Sequence, residues 1–364
     1  MPPVIVGVAA YAGATAASYA VATAVAIGIG AAVATYAVTE AMTPEMGSMD
    51  DGLGSDQSLT VGGVKPRRTI YGETVVSGGI VGYGTYTDDE EDKWHVMIIA
   101  IADHECENID LHDIEGKGLN VSGLNSRYKI HSYLGTQTTA CPIAKRYCDG
   151  WTSEHVGFGL SYVTLEVKID PEFFPNGINN VRFKVKGKKL YDARLDSTMG
   201  GAGSHRFNDS TTWEYSANPI LATIDFIRFG GYKEQPSERF DWSDVSAQAS
   251  ACDEVVSFTD SNGLPASEPR FTCNGTLLKS QTPAASLNRL LSSAAAKMYN
   301  VAGKIYVKAG VYQGAPTLVL DKNNASAAIS YKPHTPIKDR CNTVRTSFVN
   351  PNKYYQKTDA TPTE

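Results

Sequence analysis

The first 39 residues carry no charged side chain; the first to appear is Glu40. A stretch this long and this apolar has to be covered, because a large exposed apolar patch on a soluble protein associates with whatever is available. It is built mainly from Ala, Val, Gly, Ile, Thr and Tyr, and it exceeds the roughly 20 residues needed to span a bilayer. No Lys or Arg precedes the apolar run, as a cleaved secretion signal would require, and the Leu and Phe of a lipid-facing span are missing. Small residues recur instead at helical spacing, Gly13 with Ala17 and Gly28 with Ala32, which lets helix backbones approach closely. The expectation is a helical segment over residues 1–44, with helices from about Val4 to Met42 packed among copies of themselves inside an assembly. A membrane anchor over residues 4–38 is the competing reading.

Beyond Glu40 the composition becomes that of a folded, mildly acidic chain. Lys and Arg total 33 against 39 acidic residues, a net charge of −6, so non-specific binding to nucleic acid, which needs clustered cations, is a poor fit. Six cysteines in 364 residues do not make a disulfide scaffold. Residues 45–65 read as a polar linker without period. Short β-type runs follow at Thr69–Gly72, Val75-Val76 and Ile80-Val81, and Trp94–Ala102 is a nearly continuous apolar strand expected to be buried on both faces. Val163, Leu165, Val167 and Ile169, and then Val181, Phe183 and Val185, alternate with polar residues as half-buried strands do. Gly187 with Lys188-Lys189 reads as a turn.

Helices are expected late in the chain. Asn218 can cap and Pro219 can open a helix with the stripe Ile220, Ile224, Ile227. Asp241 can cap a second, striped by Val245, Ala249, Cys252 and Val256. Thr282-Pro283 opens a third, striped by Leu287, Leu290, Leu291, Ala294, Ala295 and Met298. A hairpin turning at Gly303 and a strand at Thr317–Leu320 complete the order. The resulting fold class is α+β, mainly β, and multi-domain. The units are a β-rich domain at 66–200, a helical connection at 201–265, an α+β domain at 266–332 and an extended C-terminal segment at 333–364.

No arrangement of side chains points to catalysis. The glycines of Ser77–Gly84 lack the following helix of a phosphate-binding loop, so strand–turn–strand geometry is expected there. Asp88–Asp92 lacks the spacing of a calcium loop and reads as a solvated hairpin tip. His104, Cys106 and His112, with Cys141 and Cys148, form the best metal constellation, but only His104 and Cys106 have the close spacing of zinc ligands. Cys141 and Cys148 are left as a disulfide clipping a surface loop or as free thiols, and Cys252 and Cys273 read as small core residues. Glu73, Asp192 and Asp225 are candidate general acids that nothing in the sequence pairs. No catalytic residue, metal site or cofactor is assigned.

Several ordered blocks carry a resemblance. Pro66-Arg67-Arg68-Thr69-Ile70-Tyr71-Gly72-Glu73-Thr74-Val75-Val76-Ser77-Gly78-Gly79-Ile80-Val81 resembles the opening of the tail-tip hub proteins of long-tailed bacteriophages. His95–Ala102 with His104-Glu105, Val185–Asp192 and Asn218–Ala222 look like the strands and helix that follow in that family. Phe240-Asp241-Trp242 with Ala251–Glu254, and Glu268–Gly275, resemble the host-specificity protein J of lambda-like phages. The blocks span roughly residues 64–330. The resemblance implies a homotrimeric hub at the tail tip of a virion, without catalysis. It would contact distal tail or tail tube proteins, the tape-measure protein, and a tail fibre or receptor-binding protein, and would take part in adsorption and genome ejection. The N-terminal segment lies outside the matched blocks, and its contact with a host envelope through residues 4–38 is a separate conjecture. A membrane-anchored β-rich surface protein is the alternative, and a tail-associated cell-wall hydrolase is disfavoured by the missing acid/base set.

Overall fold

The computed structural model describes residues 59–61, 66–230, 233–259, 263–315, 334, 343, 347–350 and 356–359. The expected N-terminal helices, with Gly13, Ala17, Gly28 and Ala32, and the strand expected at Thr317–Leu320 lie outside these residues. The fold is α+β and mainly β.

Two sheets face one another. The strands are β1 (Thr60–Val61), β2 (Arg68–Tyr71), β3 (Glu73–Val76), β4 (Gly79–Thr87), β5 (Lys93–Ala102), β6 (Cys106–Ile114), β7 (Lys117–Gly118), β8 (Tyr128–Tyr133), β9 (Ser161–Lys168), β10 (Val181–Leu190) and β11 (Glu214–Tyr215). The first sheet runs β1-β4-β5-β9-β8 and the second β11-β10-β6-β7, with β3 sharing an edge of β10. All pairings are antiparallel except β1 with β4. Thr60 and Val61, inside the span read as linker, therefore belong to a sheet.

β5 carries apolar residues on both faces, so it has to be covered twice. Its Met97, Ile99 and Ile101 join Val163, Leu165 and Val167 of β9 against Leu111 of β6 and Val181, Phe183 and Val185 of β10. Its other face, Val96 and Ile98, packs under a short helix α1 (Pro142–Tyr147). The end of α1 sits directly on β4 at Gly84, where a β-carbon would lie 1.9 Å from the Tyr147 carbonyl oxygen. β9 is also buried on both faces, where alternation had suggested one. Its polar positions are satisfied inside: Glu166 accepts from the Tyr86 hydroxyl at 2.7 Å and lies 3.3 Å from His131.

The expected turn at Gly187 does not form; β10 runs unbroken through it. Here the strand passes against the β2–β3 turn, and the Gly187 amide donates to the Gly72 carbonyl at 2.8 Å. The absence of a side chain permits close approach of two backbones, not a reversal of the chain.

A second core gathers α2 (Pro219–Phe229), α3 (Trp242–Asp253) and α4 (Pro283–Ser292) beside two hairpins, of which only the second contributes to it, through Ile305 and Val307. The hairpins are β12 (Val255–Thr259) with β13 (Pro265–Pro269), and β15 (Lys297–Val301) with β16 (Lys304–Lys308). Between them, β14 (Gly275–Leu278) returns to pair with β2. A last hairpin joins β17 (Ser347–Asn350) to β18 (Gln356–Asp359), within the segment expected to be extended.

The three helices begin where their caps dictate. Asn218 accepts from the Ile220 and Leu221 amides, Asp241 from Asp244 and Thr282 from Ala285. Their ends depart from the stripes. Val256 is in β12, and Met298 is in β15. α4 stops because the Ser292 and Ser293 hydroxyls bond back to the Arg289 and Leu290 carbonyls at 2.7 Å, competing with the next turn, and Ala295 turns left-handed at φ 47°. Cys252 and Cys273 are fully buried, Cys273 in the connection just before β14.

The β15–β16 turn has left-handed Ala302 (φ 49°) and Gly303 (φ 83°) at its two central positions. That is the backbone of a type I′ turn, for which Asn-Gly is the favoured pair. Ala302 is exposed, so Ala302→Asn should lose no packing and raise stability by about 0.5–1 kcal/mol. A denaturant midpoint that falls instead would contradict the turn assignment.

Candidate functional site

The described residues bring together two features of functional interest: a charged junction between the cores, and two hairpins that each present an exposed strand. The junction forms where β2, β10 and α2 converge. The Tyr71 hydroxyl donates to Asp225 Oδ2 at 2.6 Å, and Lys188 Nζ donates to both Asp225 oxygens at 2.8 and 2.7 Å. Burial first, and then the neighbouring Asp225 charge, push the Tyr71 pKa well above the ordinary phenol value, so the hydroxyl stays a donor. Lys279 pairs with Asp103 at 2.5 Å. These groups line a cleft of about 420 Å³ with Phe226 and Phe229 on its wall. Each carboxylate in it faces an ammonium, which fits a structural junction better than a proton-transfer site.

His104 sits at the edge of the cleft with both ring nitrogens engaged. The Ile70 amide donates to Nε2 and Nδ1 donates to the Glu105 carbonyl, each at 2.8 Å. Burial lowers its pKa to about 4, so the ring is a neutral strut between β2 and the β5–β6 turn. No nitrogen is left for a metal. Cys106, 3.9 Å from His104, is a buried thiol whose pKa burial raises to about 12, and His112 lies further along β6 beside Asp113 at 3.8 Å. Among the described residues no cluster of three or more His, Cys, Asp or Glu side chains could hold a metal ion.

The neutral His104 makes stability acid-sensitive. Its folded pKa lies below the unfolded value, so the unfolded chain binds the proton first as pH falls. The stabilisation is complete above about pH 6.5 and should decline between there and about pH 4, by roughly 2–3 kcal/mol. His104→Gln keeps a polar side chain but cannot titrate, and it should flatten that part of the stability–pH curve. An unchanged slope in the variant would remove His104 as the cause.

Cys141 and Cys148 are both buried and both free thiols. They occupy the two ends of α1: the Cys141 thiol accepts from the Ala144 amide at 3.4 Å and from Thr164 Oγ1 at 3.3 Å, while Cys148 is the C-cap. Seven residues of helical rise separate them by roughly 10 Å, beyond the ~7 Å that a disulfide tolerates between α-carbons. The three candidate acids are likewise accounted for and are not brought together. Glu73 pairs with Lys184, Asp192 with Arg194, and Asp225 with Lys188. The Asp88 run is the β4–β5 tip, where Asp88 accepts from the Glu90 and Asp92 amides and the Trp94 indole.

Of the two hairpins only the one turning at Gly303 was legible in the sequence, and neither was legible as a surface. All five residues of β12 are exposed, Val255 at 65% and Phe258 at 43%, and so is Leu264 at 61%. β15 is exposed throughout as well, including Met298, Tyr299 and Val301. A two-stranded hairpin alone is marginal in water. Side chains this apolar on a projecting arm mark a surface that associates.

No protein-family profile matches the chain, and no curated protein matches it. A solved structure does: a chain of the "Virion of native gene transfer agent (GTA) particle" superposes with a TM-score of 0.51 at 13% identity, over 84% of this chain and 67% of that one. At that identity the likeness is one of fold.

Proposed function

We propose that this chain is a structural virion protein, a homotrimeric hub at the tail tip that closes the tail tube and acts without catalysis. The observation that carries the reading is the agreement of two independent likenesses. The ordered blocks from Pro66 to Gly275 resemble tail-tip hubs, and the fold spans most of a chain found in a virion-like particle. The paired carboxylates of the junction and the neutral His104 are consistent with a scaffold. On this reading the partners are further copies of the chain, distal tail or tail tube proteins, the tape-measure protein, and a tail fibre or receptor-binding protein. The uncharged segment at 4–38 would be sheltered near the threefold axis until adsorption. Among the described residues no helix is long and apolar enough to cross a membrane.

The test is purification without detergent followed by mass and symmetry. Co-purification with particles and three copies per tail are expected. Extraction only with detergent would favour the membrane-anchored alternative, and a copy number that is not a multiple of three would overturn the hub.

A further inference from the structure

The two exposed hairpins differ in charge and in how their edges are finished, and together these features say what covers them. In the β12–β13 arm the register sets Pro269 opposite Val255 and Pro265 opposite Thr259. The Arg270 amide donates to the Glu254 carbonyl at 2.8 Å, so this pair is hydrogen-bonded. In an antiparallel ladder such pairs alternate with non-bonded ones, which makes Val256 with Glu268 and Phe258 with Ala266 the next bonded pairs. The backbone polar groups of Val255, Ser257 and Thr259 then point away from β13, toward the free edge of β12.

The opposite edge is finished differently. Pro265 and Pro269 take the outward positions of β13 and offer no amide, a common way of blocking strand addition. The arm therefore has one closed edge and one open edge, and the open edge is Val-Val-Ser-Phe-Thr, rich in strand-forming residues.

The charges indicate the occupant. Most charges of the two hairpins are already paired within the subunit, Asp253 with Arg194, Glu254 with Arg270, Lys304 with Asp241 and Lys308 with Asp244, whereas the exposed Glu268 of β13 and Lys297 of β15 are in no ion pair among the described residues. An arm with an open edge and an unpaired acid, and a hairpin with an exposed strand and an unpaired lysine, are complementary within one sequence. Repeated head to tail, such a contact closes a ring where the rotation between neighbours allows it.

We infer that the β12–β13 arm of one subunit seats against the β15–β16 hairpin of a second copy of this chain, with the β12 edge adding to the neighbour's exposed strand. This rests on the trimeric reading above and specifies the interface that would build it. The arm's exposed Val256 and Phe258 are then the apolar centre of the contact, and Glu268 and Lys297 lie on its rim.

The full-length chain, its Ser257→Pro variant and the charge variants Glu268→Lys, Lys297→Glu and their combination are compared by native mass and sedimentation over a dilution series. Ser257→Pro removes one outward amide and leaves the bonded pairs at 256 and 258 in place, so its thermal midpoint should stay near wild type while the subunits separate. Each single charge variant should weaken association about tenfold or more, and the combined swap should restore most of the loss. A wild-type trimer unaffected by Ser257→Pro and by both single charge changes would overturn the arm while leaving the hub standing. A wild-type chain that remains monomeric at every concentration would overturn both.

Discussion

Replacing Gly187 with alanine is expected to destabilise the sandwich severely, although the sequence change is one methyl group. The new β-carbon would lie 2.2 Å from the Ile70 carbonyl oxygen and 2.7 Å from its carbonyl carbon, both backbone atoms that cannot rotate aside. Relief requires β10 to move away from β2, and β10 is pinned on its other edge by seven aligned residues of β6. Separation would also stretch the Gly187–Gly72 hydrogen bond and open the core around Ile70 and Val185. The expected loss is about 3 kcal/mol or more, read as a drop of several degrees in the thermal midpoint. Lys186→Ala, on an exposed position one residue away, should change stability little. Equal midpoints for Gly187→Ala and wild type would mean that β10 does not pass this close to β2.

Asp225→Ala should be comparably damaging, through charge instead of volume. The carboxylate is 6% exposed and holds Lys188 and the Tyr71 hydroxyl together. Its removal leaves an ammonium and a phenol facing a low-dielectric pocket without their acceptor, a loss of about 3–5 kcal/mol for a buried pair. The same reasoning predicts recovery. Lys188→Met with Asp225→Leu removes both charges and keeps apolar volume, so most of the lost stability should return. If the double variant is as unstable as the sum of the singles, the pair is not energetically coupled and the junction is held by packing alone.

Both sites show why some features could be read in the sequence and others could not. The starts of α2, α3 and α4 were legible because a cap, joined by a proline in α2 and α4, acts within three residues. The doubly buried β5 was legible because nine consecutive residues leave it no polar face. The ends of α3 and α4 were misread, since apolar spacing continued into strands while local Ser hydroxyls and a left-handed Ala295 stopped the helix. β9 was misread for the opposite reason: Thr164 and Glu166 looked solvent-facing, yet the Cys141 thiol at the start of α1 pairs with the first, and Tyr86 and His131 on neighbouring strands pair with the second.

The fold class, the helix starts and the hairpin at Gly303 could be read along the chain, because local backbone preference and periodicity are enough to specify them. Packing in three dimensions places Gly187 within a strand, makes His104 a neutral strut, and sets Cys141 and Cys148 at the two ends of a helix. It likewise joined Tyr71 to Asp225, which lie 154 positions apart, and left one edge of β12 open. Each of these depends on which distant backbone comes within hydrogen-bond or van der Waals range, a quantity that no local spacing encodes.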